Sequence, residues 1–405
     1  MTPPVLDPAV ASGLVKRLAQ GLHFAGVPVP RLEEAVTGLG ERLGLGVQVL
    51  ATPTSLILDI EGEGVDMWRV PPGDIDLGRL ARLDGWLREL ERQAWPIAEA
   101  LPRLEEILAP APHTPVVFEV LAGAVASAGA AALFGGSLQD LLASLGLGAL
   151  IGAAPIALRR WPHLVRLGTP LSAALVSFVA FSLARSGAFP SLDPGRVTLA
   201  SLIALVPGYG VTIALTELAL QHLVSGTARL AGVLVTLLGM GLGAGLGQAL
   251  AGYLPGTAFE VNSADTGELG IAFALLTAPV CFAVLFRARK IDAVWISIGG
   301  WIGYAGARLG THLFGLELGA FLGALALGAF ANLLARLTPR PESTILVPGL
   351  MLLVPGTLGF RSIDAFLAND AVVGVEEAFR MLIVAAALGA GILGGQVLLP
   401  SRRIL

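Results

Sequence analysis

The chain contains 405 residues, of which 55% are hydrophobic and 14% are charged, and its formal net charge is −4. Its mean hydropathy of +0.77 reflects more apolar surface than a water-soluble domain can bury, which excludes an ordinary soluble globular protein. The 52 glycines favour close approach of helices in lipid, so the composition predicts a bundle of membrane-spanning helices.

The first 115 residues hold more than half of the acidic residues and show both helix and strand patterns. Apolar spacing predicts helices over 8–26, 30–44 and 76–108, and strands over 47–51, 56–60 and 65–70. We therefore predict a small α+β domain at residues 1–115, and because residues 1–30 lack a secretory signal we expect it in the cytoplasm. The amphipathic helix over 76–108 is predicted to lie near the membrane surface, with packing against the sheet as the alternative.

From residue 116 onward, apolar runs long enough to cross roughly 30 Å of hydrocarbon follow one another. We predict about ten transmembrane helices, at 116–135, 138–158, 169–187, 197–217, 228–250, 269–286, 291–309, 316–336, 344–363 and 376–399. With the N-terminus inside, the inner connections and the C-terminal tail contain eleven Lys and Arg residues, and the outer connections contain five. This excess predicts an even number of spans, with both termini on the cytoplasmic side of the inner (plasma) membrane of the cell.

A repeat with an offset of 148 residues relates the second half of this region to the first. The segment Leu-Val-Pro-Gly at 205–208 recurs at 353–356, and Gly-Gln at 247–248 recurs at 395–396 without a gap. Each half contains five predicted spans, and because five is odd the second half is inverted relative to the first. Inverted repeats are typical of secondary transporters. The predicted fold is mainly α, with a 5+5 inverted repeat made of units at 116–255 and 256–405.

Each half carries a Pro-Gly pair near the middle of a predicted span. Proline removes a backbone hydrogen bond and glycine loosens the helix, so the exposed backbone groups must be buried in protein or face a water-filled cavity. A packing kink without function is the alternative. We favour a substrate site at the two breaks, formed by Pro207, Gly208, Tyr209, Thr212, Thr216, Pro355 and Gly356.

Four carboxylates in or near the predicted spans are candidates for proton coupling. Glu217 follows the hydroxyl residues of the first break and is a candidate partner for a proton or a substrate ammonium, although it could instead face water at the cytoplasmic boundary. Asp140 and Asp292 begin corresponding helices, and Glu119 lies early in the first span. Capping of helix starts is the alternative for these residues.

Other chemistries have little support in the sequence. Five histidines show no metal-ligand spacing, the single cysteine Cys281 allows no internal disulfide, and no GxxxxGK[ST] loop for ATP occurs. We therefore predict no metal, no cofactor, no nucleic-acid partner and no ATP-driven pump. An intramembrane enzyme is the weakest hypothesis, because no nucleophile, base and orienting group recur at suitable spacing.

Several segments resemble the threonine/serine exporter family. The carrying motifs are LVPGYGVTIALTELALQHLVSGTARL at 205–230, ILVPGLMLLVPGTLGF at 345–360, ALFGGSLQDLL at 132–142, AGVPVPRLEEAV at 25–36 and TPT at 52–54. The second motif adds Pro348 and Gly349 to the predicted substrate site. The resemblance implies proton-driven export of threonine and serine across the bilayer, and relatives split into two polypeptides leave dicarboxylate export open. A channel or facilitator without proton coupling, and assembly into homo-oligomers, also remain open.

Overall fold

The computed structural model describes residues 8–93, 99–109, 115–158, 167–256, 265–353, 356–368 and 370–400. Its N-terminal part contains the helices α1 (Pro8–Phe24), α2 (Val29–Arg42), α3 (Leu77–Glu91) and α4 (Ala100–Leu108), and the strands β1 (Val47–Thr52), β2 (Ser55–Ile60) and β3 (Gly64–Arg69). The strands form one antiparallel sheet in the order β1-β2-β3. We call these elements together the N-terminal unit.

One hydrophobic core joins the helices and the sheet of the N-terminal unit. Leucines from α1, α2, β2, α3 and α4 are buried together in it. Leu80, Leu83 and Leu87 of α3 belong to this core, so their apolar face packs inside the unit rather than on a membrane surface. The predicted helix over 76–108 is present as α3 and α4, and residues 94–98 between them lie outside the described residues.

The described part of the rest of the chain consists of helices joined by turns and irregular connections. Its helices are α5 (Val116–Leu133), α6 (Leu138–Leu158), α7 (Gly168–Arg185), α8 (Pro194–Ser201), α9 (Gly208–Ala219), α10 (Leu223–Gly252), α11 (Gly267–Leu285), α12 (Ala293–Phe314), α13 (Leu316–Leu337), α14 (Ser343–Met351), α15 (Gly356–Leu367) and α16 (Ala371–Leu398). Within the described residues, seven stretches are long and apolar enough to cross a membrane, one of them combining α14 and α15. The chain is therefore a multi-pass membrane protein. Every one of the ten predicted spans contains helix, and ten crossings stay a prediction.

Two of the predicted spans consist of two short helices rather than one long helix. In the first, α8 ends at Ser201 and α9 begins at Gly208, with Pro207 at the N-cap of α9. In the second, α14 ends at Met351 and α15 begins at Gly356. Proline does not interrupt every helix, because Pro348 lies inside α14. The interruptions coincide with the repeated Pro-Gly pairs.

The two interruptions contact each other. A Cβ atom placed on Gly356 would lie 2.9 Å from Cα of Gly208 and would also overlap the side chain of Val206. At such a distance only a residue without a side chain fits, so glycine at this position is explained by the close approach of two backbones. The start of α15 therefore packs directly on the turn that precedes α9.

Corresponding helices of the two halves make corresponding contacts. Helix α7 packs on α10 as α13 packs on α16, and α9 packs on α10 as α15 packs on α16. Across the middle of the molecule, α9 contacts α16 and α15 contacts α10. The 148-residue repeat in the sequence is thus accompanied by a repeated packing pattern.

The contact between the two interruptions gives a stability prediction. Gly356→Ala is expected to destabilise the protein by about 1 to 3 kcal/mol, because the added methyl group overlaps backbone atoms that cannot easily move. Gly232→Ala is the matched control, because a Cβ there meets no atom within 4 Å. Thermal unfolding in detergent micelles measures both. Equal midpoints for the two variants would contradict the close contact.

Candidate functional site

A cavity of about 520 Å³ lies between the two halves, next to the N-terminal unit. Its walls come from the segment that joins α1 to α2, from α2 and α3, from α9, from α14 and its preceding residue, and from α16. We call it the proximal cavity. Its polar lining consists of Arg31, Glu34, Tyr209, Thr216, Glu217, His222, Glu342, Ser343 and Gln396.

Glu217 is fixed in the wall of the proximal cavity by four hydrogen bonds. Oε1 accepts from the backbone N–H of Val29 at 3.2 Å and from Nη2 of Arg229 at 3.0 Å. Oε2 accepts from Oγ of Ser225 at 2.7 Å and from Nε of Arg229 at 3.2 Å. The carboxylate is 1% exposed, so its charge is balanced inside the protein by Arg229 rather than by water. This network ties α9 to α10 and to the N-terminal unit.

Glu342 is the second buried carboxylate of the proximal cavity, and its two oxygens differ. Oε1 accepts from Arg31 of α2 and from Nε2 of Gln396 at 3.2 Å. Oε2 has no hydrogen-bond partner in the described part of the protein, and neither does Oγ of the adjacent Ser343. Burial raises the pKa of Glu342, and the charge of Arg31 opposes that shift. The wall beside α14 therefore holds acceptor atoms that no group among the described residues satisfies.

The N-terminal unit covers this side of the helix bundle at several points. Leu77 N–H donates to the carbonyl of Phe286 at 3.0 Å, and Nη2 of Arg88 donates to the carbonyl of Pro339 at 3.2 Å. Nδ1 of His222 lies 3.3 Å from Oε2 of Glu33. Because these contacts reach the connections after α9, α11 and α13, the unit is anchored around the mouth of the proximal cavity.

The structure gathers some of the predicted substrate residues and separates others. Tyr209 and Thr216 line the proximal cavity, whereas Thr212 is fully buried with its hydroxyl 3.4 Å from the carbonyl of Gly208. Pro207, Gly208 and Gly356 lie at the contact between the interruptions. Pro348 and Gly349 lie inside α14, where Gly349 packs against Leu327. Pro355 lies outside the described residues.

Sequence patterns did not single out six polar residues of the proximal cavity, namely Arg31, Glu34, His222, Glu342, Ser343 and Gln396. Two features of the sequence could have pointed to residues of this set. Gln396 belongs to the repeated Gly-Gln pair, and Arg31 belongs to one of the motifs that carry the family resemblance. Glu342 immediately precedes a predicted span, where a carboxylate is easily interpreted as an ordinary interfacial charge. Its burial depends on tertiary packing.

A second cavity, of about 690 Å³, is lined by α8, α10 and α15. We call it the distal cavity. Its lining corresponds to that of the proximal cavity when 148 is added to or subtracted from the residue number. The corresponding pairs are Gly195 and Ser343, Thr198 and Leu346, Leu199 and Val347, Arg361 and Ile213, Asp364 and Thr216, Ala368 and Leu220, Ala244 and Ile392, Gly245 and Leu393, and Gln248 and Gln396.

The two cavities lie at opposite ends of α10 and α16. Arg229 bonds Glu217 at the proximal cavity and Gln248 lines the distal cavity, and on one helix these residues are roughly 28 Å apart at a rise of 1.5 Å per residue. Helix α16 runs in the opposite direction, from the distal cavity to the proximal cavity. Gly374 near its start accepts a hydrogen bond from Ser362 of α15, and Gln396 near its end lines the proximal cavity. The two long helices therefore run antiparallel between the cavities.

Asp140 and Asp292 form buried ion pairs outside the proximal cavity. Asp140 is fully buried; it forms a capping box with Ser137 and accepts from Nη1 of Arg196 at 3.1 Å. Asp292 accepts from Nε of Arg289 and from Nε of Arg340, both at 2.7 Å. Each pair ties the start of a long helix to the segment before a broken span. Glu119 is half-buried in the first turn of α5 and lines neither cavity.

Two protein-family models together match most of the chain. A family model described as a putative threonine/serine exporter matches residues 14–251. A second model, described as the threonine/serine exporter ThrE, matches residues 271–397. The first match includes the N-terminal unit and the first interruption, and the second match includes the second interruption.

Curated relatives are fungal membrane proteins. Pheromone-regulated membrane protein 10 of Candida albicans (strain SC5314 / ATCC MYA-2876) is 24% identical over 364 residues, which cover 86% of this chain and 33% of the relative. The protein of the same name from Saccharomyces cerevisiae (strain YJM789) is 27% identical over 248 residues, which cover 59% of this chain and 32% of the relative. The chain thus spans about a third of the length of the curated relatives it matches. No solved structure matches it.

The buried ion pair of Asp292 gives a second stability prediction. Asp292→Asn removes the buried negative charge that Arg289 and Arg340 both contact, and we expect a loss of about 3 to 5 kcal/mol. Glu268→Gln is the control, because Glu268 and its partner Arg308 are largely exposed and such pairs contribute little. Unfolding in mixed micelles measures the difference. An Asp292→Asn variant as stable as the control would favour a proton-carrying role over a structural one.

Proposed function

The chain belongs to the threonine/serine exporter family, and we propose that it is a secondary transporter that exports threonine, serine or related small amino acids from the cytoplasm. The N-terminal unit and the proximal cavity face the cytoplasm in this proposal, and the distal cavity faces the outside. The predicted excess of Lys and Arg on the cytoplasmic side supports this orientation, because Arg287, Arg289 and Arg340 lie on the side where the N-terminal unit docks.

The correspondence between the two cavities is the observation that carries the proposal. Nine pairs of lining residues are related by the same offset of 148, and α10 and α16 run antiparallel between the cavities. This arrangement is what two inverted units, at 116–255 and 256–405, would produce. In such a transporter the two units exchange conformations, so that one cavity opens while the other closes around a site between them.

The charge of the proximal cavity favours an amino acid over a dicarboxylate. Three carboxylates line it, from Glu34, Glu217 and Glu342, and two arginines oppose them, Arg31 in the lining and Arg229 paired with Glu217, which leaves an excess of negative charge. A dicarboxylate would bring two more negative charges to this wall, whereas the ammonium group of an amino acid is attracted to it. Hydroxyl groups of Tyr209 and Thr216 are available beside the carboxylates for the hydroxyl of threonine or serine.

We propose that the proton gradient across the membrane drives this export. The sequence contains no nucleotide-binding loop of the Walker type, and the cavity contains carboxylates that can take up a proton. Export against a gradient would then draw on the inward movement of protons. Glu217 and, more peripherally, Asp140, Asp292 and Glu119 are the proposed carriers from the sequence.

Flux in proteoliposomes tests the function. Vesicles containing the purified protein and loaded with labelled threonine are expected to exchange it faster when a pH gradient is imposed, and to lose that stimulation when an uncoupler collapses the gradient. Succinate supplied at equal concentration should compete weakly. Threonine and serine flux no greater than in empty vesicles would refute the proposal, and flux insensitive to the gradient would indicate a facilitator.

Two substitutions test the predicted machinery. Glu217→Gln and Pro207→Ala are each expected to lower gradient-driven threonine flux by at least about tenfold, because the first removes a charge balanced by Arg229 and the second removes the proline that starts α9. Glu268→Gln, at an exposed ion pair, is the matched control. Flux unchanged by both substitutions would remove these residues from the mechanism.

A further inference from the structure

Glu342 occupies an unusual position among the carboxylates of the proximal cavity. It is 4% exposed, it precedes the first residue of α14, and only one of its oxygens is engaged by the described residues. An unsatisfied buried acceptor costs about 1 to 3 kcal/mol, and such atoms in native proteins normally face a ligand, a water molecule or an ion. The adjacent residue Ser343, which also lines the cavity, has a buried hydroxyl oxygen that is likewise without a partner among the described residues. Two neighbouring residues of the cavity wall thus each hold an oxygen that could accept from a donor group.

Glu217, in contrast, has no oxygen that is free to accept from a substrate. Both of its oxygens already accept two hydrogen bonds each, from Arg229, Ser225 and the backbone of Val29. A substrate donor would have to displace one of these groups. Glu342 can accept a new donor at Oε2 while Arg31 and Gln396 continue to hold Oε1. Between the two buried carboxylates of the cavity, Glu342 is therefore the one that can accept a donor without giving up a hydrogen bond that it already makes.

We propose that Glu342, together with the hydroxyl of Ser343, forms the subsite that binds the ammonium group of the transported amino acid in the proximal cavity. The inference deepens the proposed function and rests on it. An ammonium group donates up to three hydrogen bonds and carries a positive charge, which suits a carboxylate oxygen beside a hydroxyl oxygen. Arg31 brings a positive charge to the same wall, where the substrate carboxylate can approach it. A zwitterion thus finds both of its charges complemented.

Calcium and magnesium are poorer candidates for this place. Calcium requires six to eight oxygen ligands, and magnesium requires a nearly octahedral set. The described residues here supply one free carboxylate oxygen and one hydroxyl oxygen. The neighbouring guanidinium of Arg31 would repel a divalent cation more strongly than a singly charged ammonium group.

Binding of threonine and of its α-hydroxy analogue, 2,3-dihydroxybutanoate, tests the subsite. The analogue replaces the ammonium group by a hydroxyl group and keeps the rest of the molecule. For the full chain in lipid nanodiscs, titration calorimetry is expected to show that Glu342→Gln weakens threonine binding about 10- to 100-fold, the range expected for a lost charged hydrogen bond. The affinity for the analogue should change by less than about threefold. Gln keeps the shape of Glu342 and can still accept from Arg31.

Several controls make the outcomes distinct. Glu268→Gln, at an exposed ion pair that lines neither cavity, should leave threonine binding nearly unchanged. Ser343→Ala should weaken threonine binding by a smaller factor and, together with Glu342→Asp, tests the subsite if the Glu342→Gln variant fails to fold. Equal weakening of threonine and analogue, or unchanged threonine binding, would overturn the subsite and leave a water molecule as the occupant of this place. Absence of threonine binding and flux in the unaltered protein would instead refute the proposed function.

The pH dependence of binding provides a readout that a purely structural role would not change. A protonated carboxyl loses its attraction for an ammonium group, and burial raises the pKa of Glu342, so threonine affinity should fall on acidification at a higher pH than for an exposed glutamate. The groups that face Glu342 are Arg31 and Glu34 from α2 and Gln396 from α16. The Glu342→Gln variant is expected to lose this pH dependence. The same profile in both proteins would contradict the subsite.

Discussion

Backbone polar groups cannot be left unsatisfied in lipid, and this constraint organises the whole molecule. Two predicted spans are interrupted near Pro207 and before Gly356, where helical hydrogen bonds end. The interruptions meet at a contact so close that Gly356 has no room for a side chain. The irregular backbone is therefore packed against other irregular backbone in the middle of the bundle, and the cavities lie on either side of it.

Buried ion pairs hold the helices together outside this contact between the interruptions. Asp140 with Arg196, and Asp292 with Arg289 and Arg340, hold the starts of long helices to the segments that lead into the broken spans. Such pairs keep helices in register without placing a free charge in lipid. Glu217 of the proximal cavity is likewise paired with Arg229, whereas Glu342 retains an acceptor that nothing in the described protein satisfies. A charge tied up in the fold and a charge with a free acceptor thus line the same cavity.

Local sequence patterns predicted the helices and their interruptions, whereas the set of residues that lines the proximal cavity depends on tertiary packing. Hydropathy located the long helices because each apolar run is a local property, and the repeated Pro-Gly pairs located both interruptions because proline acts on its own turn. Pro348 shows the limit of that rule, since it lies inside α14. The docking of α2 onto the bundle, which brings Arg31 to Glu342, depends on residues more than 300 positions apart and left no periodic signal in the sequence. The apolar face of α3 was ambiguous for the same reason, because a helix that packs on a core and a helix that lies on a membrane show the same spacing.

Cysteine accessibility tests the central claim most directly, namely that the two related cavities open to opposite sides of the membrane. Cys281 is the single cysteine, so a Cys281→Ser background allows one probe at a time at Gln248→Cys or Gln396→Cys, which occupy corresponding positions in the distal and proximal cavities. A membrane-impermeant maleimide is predicted to label the Gln396→Cys variant from the cytoplasmic side and the Gln248→Cys variant from the outside, and threonine should change the two rates in opposite directions. Labelling of both variants from one side, or rates that rise and fall together, would contradict alternating access.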